Sequence, residues 1–178
     1  MAMRFTETPL SGVVVIALDA VEDERGFFAR TFCDDEFSRA GIVMQPRQMN
    51  VSHNIEAFTL RGLHYQTGGH GESKLVQCLR GRIFDVAVDL RRDSPTYRRW
   101  FGIELSPALR RMIFIPEGCA HGFLTLEPSS DVFYVMGHPF VPEAGRGVRW
   151  NDPAFGIAWP APPRVISPRD ESYPDHEP

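Results

Sequence analysis

The sequence predicts an all-β domain, an antiparallel β-sandwich or barrel with a few short helices. Short apolar runs with two-residue alternation recur along the chain, separated by Gly, Pro and Ser turns. Helix signals are confined to one short segment. The 178 residues, 43% of them hydrophobic, suit a single domain with a full core.

The elements follow in order. Residues 12–17 (GVVVIA) and 26–33 (GFFARTFC) read as strands. A short helix is expected at 35–40, with Asp34 as N-cap and Gly41 as its stop. The stretch 74–90 (KLVQCLRGRIFDVAVDL) reads as a hairpin split at Gly81. In its second half Phe84, Val86, Val88 and Leu90 share one face, and Ile83, Asp85, Ala87 and Asp89 the other. Asp85 between two apolar neighbours must be paired or face a wet cavity, unless its face meets solvent. Residues 111–115, 121–126 and 131–136 are further strands, with Pro116-Glu117-Gly118 turning between the first two. From about residue 160 the chain is rich in proline and charge, and an extended, packed tail is expected. Barrels of this kind carry ligands in the mouth, lined by inward-facing side chains.

Bulk properties exclude several classes. A net charge of −4 does not suggest a broad nucleic-acid face. Local pairs such as Arg91–Arg92, Arg98–Arg99 and Arg110–Arg111 suit solvated turns, but a small anion needs only two or three placed cations. No apolar run approaches the ~18–20 residues that cross a bilayer. No signal-peptide pattern opens the sequence, so a cytoplasmic location is expected. Cys33, Cys78 and Cys119 are far apart and odd in number, which argues against disulfides and zinc knuckles.

The densest polar constellation is Arg61-Gly62-Leu63-His64-Tyr65-Gln66. In a regular strand Arg61 and His64 point to opposite faces, because their offset is odd. A bulge at Gly62 would turn both inward. Lys74, His121 and Tyr134 are further candidates, although each also reads as a rim lysine, a satisfied structural histidine or a core tyrosine. Pro116-x-Gly118-x-x-His121 has the form of the second histidine motif of metal-binding cupins. The first such motif needs two histidines one residue apart, and here His64 is followed at that spacing by Gln66. Two good ligands are fewer than the three a catalytic metal generally wants, so no metal is expected.

These residues together resemble the dTDP-4-dehydrorhamnose 3,5-epimerase family. The resemblance runs through Asp23-Glu24-Arg25-Gly26-Phe27-Phe28, Leu60 to Gln66, Lys74-Leu75-Val76, and GRIFDVAVDLR from Gly81 to Arg91. It continues through Ile115 to Leu124, Arg149-Trp150-Asn151-Asp152-Pro153 and Ile166-Ser167-Pro168-Arg169-Asp170. It implies a jelly-roll, cupin-type fold spanning the chain, no metal and no organic cofactor. It also implies a homodimer in which an N-terminal strand crosses to the partner, with a nucleotide sugar as ligand. By the matching motifs His64 is the base, Tyr134 the acid, Asp170 the partner that orients the histidine, and Lys74 lies near the keto oxygen. Arg25, Phe28, Gln48, Asn50, Arg61, His121, Phe140, Glu143 and Arg169 fall at ligand-contact positions.

The residue types suit that chemistry. A C–H beside a ketone is acidic because the carbanion delocalises into an enolate. Histidine is an effective base near neutrality, and a carboxylate on its other nitrogen fixes the tautomer. A lysine ammonium stabilises the enolate oxygen, and arginines hold a diphosphate.

The chain departs from the family pattern at Arg30, where glutamate is usual, and at Val135, where lysine usually follows the tyrosine. Phe140 replaces a tyrosine that stacks on thymine but keeps the ring that stacking needs. Gly145 replaces an acid, and Met136 to Val141 (MGHPFV) is atypical. The departures leave open a single-centre epimerase on another nucleotide sugar, such as a CDP-sugar. A non-catalytic or metal-binding cupin is the remaining alternative.

Overall fold

The computed structural model describes residues 2–177. Fourteen strands account for most of the regular structure: β1 (Met3–Glu7), β2 (Val14–Leu18), β3 (Val21–Asp23), β4 (Gly26–Phe28), β5 (Gln48–Asn54), β6 (Thr59–Gln66), β7 (Lys74–Arg80), β8 (Ile83–Asp89), β9 (Trp100–Leu105), β10 (Arg111–Ile115), β11 (Cys119–Thr125), β12 (Ser130–Met136), β13 (Gly145–Gly147) and β14 (Val165–Ile166). Two short helices, α1 (Asp34–Arg39) and α2 (Pro168–Glu171), complete them.

Two sheets face each other. One has the order β1-β2-β10-β7-β12-β5, the other β13-β6-β11-β8-β9, with β14 pairing parallel to β6. Ile83, Ala87, Phe123 and Leu105 of the second sheet pack with Val76, Cys78, Ile113 and Val132 of the first to form the inner core. The outer face of the first sheet (Ile16, Leu75, Met112, Val135) is covered by Phe37 of α1 with Ile42 and Met44. The outer face of the second (Leu63, Val86, Val88, Ala120) is covered by Val148 and Phe155. The two faces expected for β8 are thus both real, and both buried. This is the antiparallel sandwich expected from the alternating runs, in the jelly-roll form that the resemblance implies.

Four local expectations are corrected. Residues 74–90 do not form a hairpin: β7 pairs with β10 and β12, whereas β8 pairs with β9 and β11 in the opposite sheet. Gly81, with φ of +73°, is the corner between sheets, and a Cβ there would meet Ser130 Oγ at 2.3 Å. Ile83 and Ala87 of β8 meet Val76 and Cys78 of β7 across the inner core, so the two runs pack face to face and not edge to edge. The strand expected at 26–33 stops at Phe28, because the chain leaves the β3–β4 ribbon to reach α1. The helix cap is Cys33 rather than Asp34; no side chain caps it, and Asp34, Asp35 and Glu36 form an acidic first turn instead. Gly41, with φ of +74°, does end the helix. The tail is not merely extended: β14 lies along β6, and Ser167 caps α2 by accepting the amide of Asp170 at 3.1 Å.

Candidate active site

The site is built on an irregularity in β6. His64 lies opposite His121, but Arg61 lies opposite Phe123, so β6 carries one extra residue across this interval. The bulge lets Arg61 and His64 line the same cavity despite their odd spacing. Glycine is required on both strands here. A Cβ on Gly62 (φ +130°) would stand 2.5 Å from Gly122 Cα, and one on Gly122 would stand 2.6 Å from the Arg61 carbonyl oxygen.

Asp170 reaches this bulge from α2. Its Oδ1 lies 2.7 Å from His64 Nε2, and its Oδ2 accepts the Gly62 amide at 3.1 Å. Burial by itself would raise the Asp170 carboxyl, but the bonds from His64 and Gly62 outweigh it and hold it below its ordinary value. The ionised carboxylate fixes one ring nitrogen of His64 and leaves Nδ1 as the proton acceptor.

Lys74 is not a rim lysine. It is 5% exposed, and its Nζ lies 2.6 Å from Glu72 Oε1 and donates to the His64 carbonyl at 3.1 Å. His121 bonds through Nε2 to Asp85 Oδ2 at 2.9 Å, which pairs one of the two buried Asp85 oxygens. Tyr134 lies in β12 opposite Asn50 and Val76. Burial pushes its phenol up, so it stays a proton donor through the neutral range.

These groups wall a cavity of about 400 Å³ lined by strands of both sheets. Gln48 and Asn50 enter it from β5 by two-residue alternation, while Met49 and Val51 between and beyond them face outward. Arg61, Phe140 and Arg169 also line it, and the Phe140 amide donates to Gln48 Oε1 at 3.0 Å. Three expected contacts are not brought there. Arg25 and Phe28 sit on the β3–β4 ribbon beside a separate depression, with Phe28 66% exposed. Glu143 opens the short turn before β13 and is exposed, outside the cavity wall. The sequence reading missed Ser52, Tyr65, Glu72, Met136 and Arg146, all of which line the cavity. Ser52 and Met136 were findable by stepping two residues from Asn50 and Tyr134; Glu72 lies in a loop, where alternation carries no signal.

The departures from the family pattern separate spatially. Arg30 pairs with Glu36 of α1 at 2.6 Å. Val135 is buried under α1, on the opposite face of β12 from Tyr134. Phe140 and Gly145 are at the cavity. Among the described residues, no group of three or more His, Cys, Asp or Glu is placed to hold a metal ion.

A jelly-roll sandwich with a histidine–carboxylate pair, a buried lysine and three arginines on one cavity defines a cupin-type fold with a site suited to an anionic ligand. The family model for dTDP-4-dehydrorhamnose 3,5-epimerase matches residues 7–177. A dTDP-4-dehydrorhamnose 3,5-epimerase of Methanothermobacter thermautotrophicus is 42% identical over 173 residues, covering 96% of this chain and 92% of the relative. The crystal structure of the Bacillus anthracis dTDP-4-dehydrorhamnose 3,5-epimerase, with TDP and PPi bound, superposes with a TM-score of 0.95 at 36% identity, covering 98% of this chain and all of that one. The Legionella pneumophila epimerase in complex with dTDP-4-keto-L-rhamnose gives a TM-score of 0.91 at 36% identity, covering 96% and 91% of the two chains. The chain belongs to the dTDP-4-dehydrorhamnose 3,5-epimerase family.

Proposed function

We propose that the protein epimerises dTDP-4-dehydro-6-deoxyglucose at C3 and C5, with His64 as the base and Tyr134 as the acid. His64 takes the proton from a carbon beside the ketone, and the electron pair moves onto the keto oxygen as an enolate. Lys74 stabilises that oxygen with its remaining N–H. Tyr134 returns a proton to the opposite face, which inverts the carbon. Asp170 keeps His64 in the correct tautomer and stabilises the imidazolium that forms. Arg61 and Arg169 hold the diphosphate, Gln48, Asn50 and His121 contact the nucleotide sugar, and Phe140 stacks on the base.

The observation that carries this reading is the 2.7 Å His64–Asp170 pair on a cavity that Lys74 and Tyr134 also line. The test is incubation with dTDP-4-dehydro-6-deoxyglucose in deuterated water. Deuterium is expected at C3 and C5 with the native protein and at neither with His64→Asn. Absence of deuterium at both carbons with the native protein refutes the reaction.

The protein acts as a homodimer in which the N-terminal strands exchange and Arg25 and Phe28 complete the partner's cavity. Their place outside their own chain's cavity, with Phe27 and Phe28 58% and 66% exposed, supports this. Mixing inactive Arg25→Ala and His64→Asn proteins should restore activity, because a hybrid dimer holds one complete site. No recovery after exchange of subunits counts against a shared site.

A further inference from the structure

Glu72 is a charged side chain buried at the cavity with half of its hydrogen-bonding capacity unused. It lies in the loop between β6 and β7, is 5% exposed and lines the cavity. Its Oε1 is engaged by Lys74 Nζ at 2.6 Å, but its Oε2 is buried without any partner. An ionised carboxylate only accepts hydrogen bonds, and leaving one of its oxygens unsatisfied out of water is costly. Solvent does not reach this oxygen in the free chain, and a ligand entering the cavity that Glu72 lines supplies a donor once the carboxylate turns slightly toward it.

We infer that Glu72 is a specificity-determining residue that accepts a hydrogen bond from the sugar hydroxyl on C3. The inference rests on the reading in which Lys74 meets the keto oxygen. Lys74 has three N–H groups. One faces Glu72, one the His64 carbonyl, and the third is left for the substrate. Glu72 is held at Lys74, so its free oxygen lies beside the carbons that flank the ketone. Of these, C5 carries hydrogen and a methyl group and offers no donor. C3 carries a hydroxyl. The bond from that hydroxyl to Glu72 therefore reports on the configuration at C3 alone. Inversion of C3 moves the hydroxyl, so Glu72 favours one C3 epimer and leaves C5 untouched.

The experiment measures deuterium wash-in at C3 and C5 of the same substrate molecule, for native protein, Glu72→Gln and Glu72→Ala. With Glu72→Ala the ratio of C3 to C5 wash-in should fall about tenfold. Glu72→Gln has a single acceptor oxygen to share between Lys74 and the sugar, so its ratio should fall by less. If Glu72 only holds Lys74 in place, both carbons slow by the same factor and the ratio is unchanged, which overturns the proposal. An unchanged ratio in Glu72→Gln together with an unfolded Glu72→Ala also overturns it. If the native protein exchanges neither carbon, the underlying reaction fails instead, and the two failures are thereby distinguished.

Discussion

Two histidine–carboxylate pairs stand side by side on adjoining strands, since His64 of β6 lies directly opposite His121 of β11. They differ in access and in how their carboxylates are served. The His64 side chain is 43% exposed and that of His121 is 9%. Asp170 has partners on both oxygens, whereas Asp85 Oδ1 is buried with none. His121 takes its carboxylate from β8, its neighbour in the same sheet, while His64 takes its own from a helix 106 residues away in sequence. A base must meet its substrate and then give its proton back, which an open imidazole on a fixed carboxylate does and a sealed one does not. The first pair is suited to moving protons and the second to holding a shape that the ligand touches.

Substitution of the two histidines separates these roles most sharply. His64→Asn should lower kcat about a thousandfold, the scale of a lost general base. Loss of kcat of the same size in His121→Asn would erase the distinction between the pairs.

Asp170→Asn should cost about a hundredfold in kcat, the low end of what general-base catalysis contributes, with little change in KM, because the amide leaves His64 in the wrong tautomer. Steady-state kinetics on folded variant checks this, and a change confined to KM would assign Asp170 to binding.

His121→Asn should raise KM about tenfold with kcat nearly intact, the scale of one lost hydrogen bond to a charged ligand. An unchanged KM would remove His121 from the ligand's contacts.

The smallest effect is on stability against pH. The Asp170 carboxyl is held below its ordinary value in the fold, so its contribution is complete above the unfolded value of about 3.9 and is lost as pH falls through the lower folded value. The melting-temperature difference between native protein and Asp170→Asn should therefore be steady near neutrality and narrow as pH drops below about 4. A difference that widens in acid would contradict an Asp170 carboxylate held ionised by its hydrogen bonds.

Much of this was legible in the residues. Alternation placed both faces of β8, Gly41 ended α1, and Gly62 was the one position where a bulge could bring Arg61 and His64 together. Other features were not. Alternation in β7 and β8 describes two half-buried runs equally well whether they pair or face each other across a core, so the Gly81 corner was read as a hairpin. Lys74 looked like a rim residue because its partner Glu72 belongs to a loop without periodicity. Arg25 and Phe28 carry motif identity but no indication of which cavity they serve.

By itself, the sequence determined the residue types, the spacing of strands and turns, and the family, because local propensity and patterning act over a few residues and long motifs are specific. The tertiary structure decided which strands share a sheet, which carboxylate meets which histidine, and which oxygen of Glu72 lacks a partner. Those depend on contacts between residues far apart in the chain, such as Asp170 with the Gly62 amide, and such contacts form only when two sheets close over a common core.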